Sequence, residues 1–256
     1  MPTAHPSPAD PTETVVVSPS KANGNVAVPG SKSISNRVLL LAALGDGECK
    51  VSGLLHSDDT EVMLIALKKM GVQYSWDDKK EVLTLIGANG KLSLPSSELY
   101  MKNAGTATRF LTTAVNLIEQ KGTVVVTGNE RMKLRPIGDL VTALNETGCN
   151  ITFKEGKGCP PLAVETTELG WKGGKVVLAA NVSSQYVSSV LISAPFAKEP
   201  VTLTLDDRGK GICSRPYIDI TLDLLKQFGI GVEEGPPHVF KVAKKPFKNP
   251  PSWLVE

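Results

Sequence analysis

The hydrophobic pattern of the chain repeats three times. Leucine-rich segments with apolar residues three and four apart are typical of amphipathic helices, and three of them end at a glycine. These glycines, Gly71, Gly148 and Gly229, are separated by 77 and 81 residues. Two short stretches rich in β-branched and aromatic residues follow each glycine and predict strands. The spacing therefore indicates three structural units of roughly 80 residues, a period longer than that of common solenoid repeats.

A second helix is predicted in each unit, and small polar residues precede its apolar positions every time. Each of these segments leads into a predicted strand, and together they span residues 31–44, 103–118 and 181–196. We expect an α/β domain whose three units, each with two helices and several strands, pack around a pseudo-threefold axis with the helices inside. In the glycine-terminated helices, the residues Ser-Asp-Asp at 57–59 offer N-cap chemistry, and Pro136 and Pro216 suit the first helical position.

Residues 29–37, PGSKSISNR, gather a lysine, three hydroxyls, an amide and an arginine immediately before an apolar run. Since residues 38–44 are strong helix formers, these polar groups are expected at a helix N-terminus. Unpaired backbone N–H groups and the helix dipole favour anions there. Ser33 and Arg37 are four residues apart and can face the same ligand, with Lys32 beside them.

Two other interpretations fit this segment less well. A phosphate-binding P-loop needs glycines five apart followed directly by lysine, whereas Gly24 and Gly30 are six apart and Ser31 precedes Lys32. A pair of merely solvated first-turn cations is also disfavoured, because a cation at a helix N-terminus opposes the dipole unless an anion binds there. The pattern therefore favours an anion site.

Further polar clusters recur at comparable places in the repeats. Residues 103–109 combine hydroxyls at a helix start with Gly105, which lets a ligand approach the backbone closely. Residues 131–135 carry three cations, and neutral groups suited to a hydroxylated ligand lie at 183–185 and 214–217. Alone, each cluster fits an ordinary cap, turn or solvated loop. Their equivalent places in a repeat indicate a shared site.

Composition limits the chemistry further. The 256 residues include 28 basic and 26 acidic side chains, a net charge of +2 that is too balanced for a general nucleic-acid binder. Any affinity for anions must therefore be local. Four scattered cysteines without a CxxC pair, and three scattered histidines, argue against a zinc site and a disulfide framework. We expect neither a metal nor a cofactor.

The two ends of the sequence differ from its middle. Residues 1–14 are rich in proline and lack the hydrophobic core of a secretion signal, so we expect a disordered leader. No stretch is predicted to span a membrane, and a cytoplasmic location without a membrane partner is expected. At the other end, a Pro-rich turn leads into the apolar residues 253–255, which we interpret as the start of a strand within a longer protein.

Four segments resemble motifs of the 5-enolpyruvylshikimate-3-phosphate (EPSP) synthase family: PGSKSISNR at 29–37, NAGTATR at 103–109, RMKLRPI at 131–137 and RPYIDIT at 215–221. The resemblance covers about residues 15–256 and is greatest to the synthase segment of the fungal pentafunctional shikimate-pathway polypeptide. It implies an inside-out α/β barrel of two similar domains, each built from three βαβαββ units. This implied fold agrees with the repeats inferred above.

The resemblance also implies a reaction in aromatic amino-acid biosynthesis. The enolpyruvyl group of phosphoenolpyruvate passes to the 5-hydroxyl of shikimate 3-phosphate, and phosphate leaves through a tetrahedral intermediate without a metal. Lys32 would contact both substrates and is the expected catalytic residue, because developing charge needs preorganised donors. The residues implied to hold shikimate 3-phosphate are Lys32, Ser33, Arg37, Ser183, Ser184, Gln185, Ser214 and Tyr217. Those implied to face phosphoenolpyruvate are Lys32, Gly105, Arg131 and Gln185, and replacing Gly105 by alanine is implied to reduce sensitivity to the inhibitor glyphosate.

The resemblance further implies a domain organisation. Residues 15–27 would be a strand of a second, mostly absent domain, 28–244 one complete domain of three repeats, and 245–256 a crossover to the second domain. Family members are nearly twice this length and draw acid–base groups from that domain, so the chain is expected to carry half of an active site and to need the other half as its partner. Two alternatives stay open: a non-catalytic anion-binding domain of the same fold and, less favoured by the motifs, a UDP-N-acetylglucosamine enolpyruvyl transferase.

Overall fold

The structure is a computed structural model, and it describes residues 21, 23–25, 28–156, 158–179, 181–209 and 211–256. Within these residues the α-helices are α1 (Lys32–Leu44), α2 (Asp58–Lys69), α3 (Gly105–Ala114), α4 (Gly138–Glu146), α5 (Ser184–Ser193) and α6 (Arg215–Gln227). The strands are β1 (Asp46–Ser52), β2 (Gln73–Trp76), β3 (Val82–Ala88), β4 (Leu99–Tyr100), β5 (Gly122–Thr127), β6 (Asn150–Phe153), β7 (Leu162–Thr166), β8 (Gly174–Ala179), β9 (Val201–Asp206), β10 (Val232–Gly235), β11 (Val239–Val242) and β12 (Ser252–Leu254). Short 3₁₀ turns follow α3 and α5, and a third, Met132–Leu134, precedes α4.

The strands form three four-stranded sheets with one common arrangement. Their orders are β4-β5-β7-β6, β8-β9-β11-β10 and β12-β1-β3-β2. In each sheet the first pair of strands is parallel and the other two pairs are antiparallel. Along the chain, a helix follows β4, β5, β8 and β9, which makes the second and third units βαβαββ repeats. The predicted α/β fold of three repeats is confirmed.

The first unit takes its opening strand from the far end of the sequence. β12 pairs in parallel with β1, and the backbone N–H of Ser31, just before α1, donates to the carbonyl of Glu256 at 3.1 Å. Residues 245–256, predicted as a crossover beyond a domain complete at residue 244, therefore lie within the packed unit. The boundary is corrected to include β12, because β1 would otherwise present an unpaired edge. That this segment continues into a second domain stays a prediction.

Three helices occupy the centre of the molecule. All residues of α3 are buried, as are those of α1 from Ser35 onward and those of α5 except Gln185. α1, α3 and α5 contact one another and form the centre of the core. Burial alternates along β1 and β9, so the sheets turn one face to the helices and the other to solvent. Helices inside and sheets outside are the predicted inside-out arrangement.

The predicted helix ends are confirmed with one exception. Gly71, Gly148 and Gly229 follow α2, α4 and α6 with φ of 89°, 89° and 80°, the left-handed conformation that closes a helix. Ser57 caps α2 in a reciprocal capping box, and Pro216 lies in the first turn of α6. The exception is the proline expected to open α4, since this helix begins two residues later, at Gly138.

No helix of the described residues has the length and apolar character needed to cross a membrane. The His, Cys, Asp and Glu side chains of these residues form no group of three or more that could hold a metal ion.

The predicted leader, residues 1–14, lies outside the described part of the chain. So does most of the strand predicted over 15–27, and residues 21 and 23–25, which are described, form no strand.

A close backbone contact holds the first sheet against α1. Gly87 in β3 faces the carbonyls of Gly45 and Ala42 so closely that an added methyl group would overlap both. We expect Gly87→Ala to lower the free energy of unfolding by about 1 to 3 kcal/mol, the usual cost of overpacking. Gly235→Ala in β10 is the matched control, because no atom lies within 4 Å of the added methyl there. Urea unfolding measures both, and equal stabilities would contradict the close contact.

Candidate active site

The polar clusters predicted from the sequence meet in one cleft of about 510 Å³. The first turns of α1, α2, α3, α5 and α6 line it, together with the residues just before α4. Every helix of the described chain therefore has its N-terminal end at this cleft. Nine of the ten predicted site residues line it: Lys32, Ser33, Arg37, Gly105, Ser183, Ser184, Gln185, Ser214 and Tyr217.

Several of these helix ends carry no cap from a side chain. Among the described residues, no side chain accepts a cap hydrogen bond at the start of α1, α3 or α6. Only α5 among the central helices is capped, by Ser183, which accepts from the N–H of Gln185 at 3.2 Å. Ser214, before α6, has the left-handed φ of 53°, a conformation often found at functional sites when the residue is not glycine. Free N–H groups and helix dipoles suit an anionic ligand.

Arg37 is a buried cation at the base of the cleft, with 1% of its surface exposed. Its guanidinium donates to Thr221 Oγ1 at 2.8 Å, to Ser188 Oγ at 2.9 Å and to the carbonyl of Ser33 at 2.8 Å. No carboxylate of the described residues forms a salt bridge with it. Burial lowers the pKa of Arg37 to about 10. Neutral groups alone hold this charge, so a nearby anion would offset part of its burial cost.

Arg109 repeats this arrangement in the second unit. Its Nη1 donates to the carbonyl of Gly105, four residues earlier, and to Gln185 Oε1 at 3.0 Å. Its Nη2 donates to the carbonyl of Pro136, which also accepts from the hydroxyl of Tyr186. Pro136, expected inside a helix, instead lies before α4 and presents its carbonyl to the cleft wall. Nε of Arg109 is buried without a hydrogen-bond partner in the described residues.

Arg135 extends across the start of α3. Its Nη1 donates to the carbonyl of Asn103 at 3.0 Å, and its guanidinium fills the space that a side chain at Gly105 would occupy. Burial lowers the pKa of Arg135, the charges of Arg109 and Arg131 lower it further, and Asp59 raises it. Arg109 and Arg135 thus place two positive charges close together within the second unit, and a bound anion would offset their mutual repulsion.

Lys32 lies at the mouth of the cleft, with half of its side chain exposed. Its Nζ is 3.7 Å from Oδ1 of Asp59, on the first turn of α2. Asp59 is the one carboxylate among the cleft-lining residues, beside the cations Lys32, Arg37, Arg109 and Arg135. The described cleft is therefore strongly cationic although the whole chain is nearly neutral.

Arg131 is the predicted site residue that does not line the cleft. It is exposed and lies at the start of the 3₁₀ turn before α4. Its charge acts on Arg135, so it lies near the cleft without forming its wall. Its role towards phosphoenolpyruvate stays a prediction.

Sequence reasoning missed Arg109, Arg135 and Asp59 as cleft residues. A signal for Arg109 was available, because it follows Gly105 by four residues as Arg37 follows Ser33, and both arginines bond to the carbonyl four residues back. Arg135 belongs to the cationic run 131–135, but the 3₁₀ turn decides which of its members faces the cleft. Nothing in the sequence pattern distinguishes Asp59 from its neighbour Asp58.

The fold and the cleft together define a class of protein: an α/β domain of three βαβαββ repeats whose helix ends and cations converge on one cationic cleft. The family model of EPSP synthase (3-phosphoshikimate 1-carboxyvinyltransferase) matches residues 16–256. This chain belongs to the EPSP synthase family.

Solved structures show the same relationship. Two structures of EPSP synthase from Acinetobacter baumannii are 26% identical to this chain and superpose with a TM-score of 0.74 over 91% of it. The enolpyruvyl transferase NikO from Streptomyces tendae shares the fold, with a TM-score of 0.61 at 14% identity over 91% of the chain. These matches cover 50% and 49% of the two synthase chains and 52% of NikO, so this chain spans about half the length of the structures it matches.

The buried charge of Arg37 leads to a testable prediction about stability and anion binding. In Arg37→Met, Ser188 and Thr221 keep their mutual hydrogen bond of 2.7 Å, and an unpaired buried charge is removed. We expect the free energy of unfolding without ligand to stay equal or rise by up to about 2 kcal/mol. Stabilisation by inorganic phosphate, which is about 2.7 kcal/mol at 100 times Kd in the wild type, should be lost.

Thermal unfolding with and without phosphate measures both effects. Arg208→Met serves as the control, because Arg208 is exposed, pairs with Asp139 and does not line the cleft. Undiminished stabilisation of Arg37→Met by phosphate would show that the buried guanidinium does not serve the anion.

Proposed function

We propose that this chain forms the shikimate 3-phosphate half of an EPSP synthase active site. In this reaction the enolpyruvyl group of phosphoenolpyruvate is transferred to the 5-hydroxyl of shikimate 3-phosphate, and inorganic phosphate is released. One observation carries the proposal: four cations from two of the repeats and several uncapped helix ends converge on a single cleft. Membership of the EPSP synthase family supports the choice of reaction.

The charge of the cleft matches the charge of the two substrates. At an effective dielectric constant near 20, two unit charges 4 Å apart interact by about 4 kcal/mol, so two phosphorylated anions side by side repel strongly. Lys32, Arg37, Arg109 and Arg135 offset this repulsion. Because the arginines are fixed by hydrogen bonds before any ligand binds, little reorganisation is needed when the substrates enter.

The two substrates are assigned to different walls of the cleft. Hydroxyls and N–H groups at the starts of α5 and α6 suit the phosphate and ring hydroxyls of shikimate 3-phosphate: those of Ser183, Ser184, Ser214 and Tyr217. The start of α3, with Gly105 and the guanidinium of Arg135, suits the more compact phosphoenolpyruvate. Gln185 links the two walls, since its Nε2 donates to Thr106 Oγ1 at 3.0 Å. Lys32 at the mouth can reach both ligands.

The chemistry needs groups that move protons. Addition of the 5-hydroxyl to phosphoenolpyruvate forms a C–O bond, releases the hydroxyl proton to a base and adds a proton to the methylene carbon. Elimination then breaks the C–O bond to phosphate, which leaves, and removes a proton from that same carbon. General acid–base groups must lie within hydrogen-bond reach of those atoms. Asp59 is the one carboxylate lining the described cleft, whereas the two steps need both a base for the hydroxyl proton and an acid for the methylene carbon. We therefore assign the acid–base groups to a second half, which corresponds to the part of the matched synthases that this chain does not span.

Binding of the first substrate tests the role of Lys32. We expect Lys32→Ala to weaken shikimate 3-phosphate binding by about 1.5 to 3 kcal/mol, roughly 10- to 150-fold, because a charge-assisted hydrogen bond is lost. Isothermal titration calorimetry measures the dissociation constants. Lys50→Ala is the matched control: Lys50 is similarly exposed, pairs with Glu48 and lies in β1 away from the cleft. Equal affinities for the wild type and Lys32→Ala would refute the assignment.

Turnover tests the division of the site into two halves. We expect phosphate release from the two substrates only when this chain is mixed with, or joined to, a polypeptide corresponding to the other half of the matched synthases. The same mixture with Lys32→Ala should be inactive or severely impaired. A chain that binds shikimate 3-phosphate but gives no turnover in either arrangement would be a non-catalytic anion-binding domain instead.

Several finer expectations belong to the same proposal. Preference for shikimate 3-phosphate over a UDP-sugar is tested by titrating both ligands. The cytoplasmic location and the similarity to the fungal pentafunctional polypeptide stay predictions, and imaging of the tagged protein in its native cell tests the first.

A further inference from the structure

One acidic side chain faces the cations of the cleft. Asp59 has a quarter of its side chain exposed, and its Oδ1 lies 3.7 Å from Nζ of Lys32. It also acts on Arg135, whose pKa it raises while burial and Arg109 lower it. A carboxylate in this place competes with any anionic ligand for the same cations. Its presence in an anion site therefore needs a physical reason.

The position of Asp59 is fixed by the start of α2. Ser57 closes this end of the helix with a capping box, and the helix dipole favours negative charge on the two aspartates that follow. Asp58 pairs with Lys102 at 2.8 Å and is 75% exposed, outside the cleft lining. The two adjacent aspartates thus have different partners: Asp58 pairs with Lys102 at the surface, and Asp59 pairs with Lys32 at the cleft.

The ion pair between Lys32 and Asp59 is weak and can break at little cost in free energy. At 3.7 Å it lacks the distance of a strong hydrogen bond, and the half-exposed lysine can swing on its flexible stem. An exposed pair of this kind contributes little to stability. Loss of the pair costs little when a phosphate group offers Lys32 more negative charge than one carboxylate.

We propose that Asp59 is the exchange partner of Lys32. In the free chain, the carboxylate of Asp59 forms an ion pair with the ammonium group of Lys32 at the cleft. When a phosphate group binds, the ammonium group pairs with the phosphate instead. When the phosphate leaves, the ion pair with Asp59 forms again. Asp59 thereby limits the affinity of the cleft for inorganic phosphate. This inference rests on the proposed function, in which inorganic phosphate is a product that must leave before the next substrates bind. Asp59 is a positioning residue that favours product release.

Calorimetric titration with inorganic phosphate at low ionic strength tests the exchange. Asp59→Asn keeps the shape of the side chain and removes its charge, so we expect phosphate to bind about tenfold more tightly than to the wild type. Asp58→Asn is the matched control, since it removes the same charge one residue away, and its affinity should stay within about twofold of the wild type. A merely structural role of Asp59 would not produce a gain in affinity.

A second comparison asks whether Asp59 acts through Lys32. In the Lys32→Met background, Asp59→Asn should raise phosphate affinity by about threefold or less, because only direct repulsion between the carboxylate and the ligand is then relieved. A tenfold gain in both backgrounds would overturn the exchange, and so would a gain of the same size in Asp58→Asn.

The remaining outcomes separate this inference from the proposed function. Phosphate affinity of Asp59→Asn equal to or below that of the wild type, with shikimate 3-phosphate still bound by the wild type, overturns the exchange alone. A wild-type chain that binds neither shikimate 3-phosphate nor inorganic phosphate overturns the proposed function and the exchange with it.

Discussion

The burial of two guanidinium charges among neutral groups is the constraint on which the rest of the site depends. Arg37 and Arg109 lie on the central helices, where carboxylate partners would cancel the positive charge that the cleft needs. Hydroxyls and backbone carbonyls take their place: those of Thr221, Ser188, Ser33, Gly105 and Pro136. Neutral hydrogen-bond partners fix the guanidinium groups without cancelling their positive charge, so the electrostatic potential in the cleft stays positive.

This constraint explains the composition of the central helices. Helices buried on every side would normally consist of Leu, Val and Ala, yet α3 and α5 bury Thr112, Thr113, Ser188 and Ser189. Ser188 accepts from Arg37, Thr112 and Ser189 donate to carbonyls of the helices, and the hydroxyl of Thr113 bonds to that of Ser189. The core is therefore apolar towards the sheets and hydroxylated where the three helices meet. The same side chains that pack the centre also hold the site.

Local patterns predict much of the fold, and non-local pairing limits the rest. The three repeats, the glycine-ended helices and the polar starts of α1, α3 and α5 follow from spacing and helix-end chemistry, and the structure confirms them. The place of β12 could not be predicted this way, because it pairs with β1 about two hundred residues earlier in the chain, at register Lys50 with Ser252. The choice of Arg135 over Arg131 as a cleft wall likewise depends on one 3₁₀ turn, and Arg109 needed a comparison of repeats rather than a single motif.

The pairing of β12 with β1 gives the described unit the topology of a ring. Each sheet opens with a strand that leads towards a central helix, and for the first sheet that strand is β12, two residues beyond which the carbonyl of Glu256 accepts from the N–H of Ser31 at the start of α1. The three repeats thus have the same arrangement of strands and helices, and none of them differs from the others by lacking its opening strand. A circularly permuted chain, joined at this point and opened in the surface loop of another repeat, would retain every strand pairing and every helix start at the cleft.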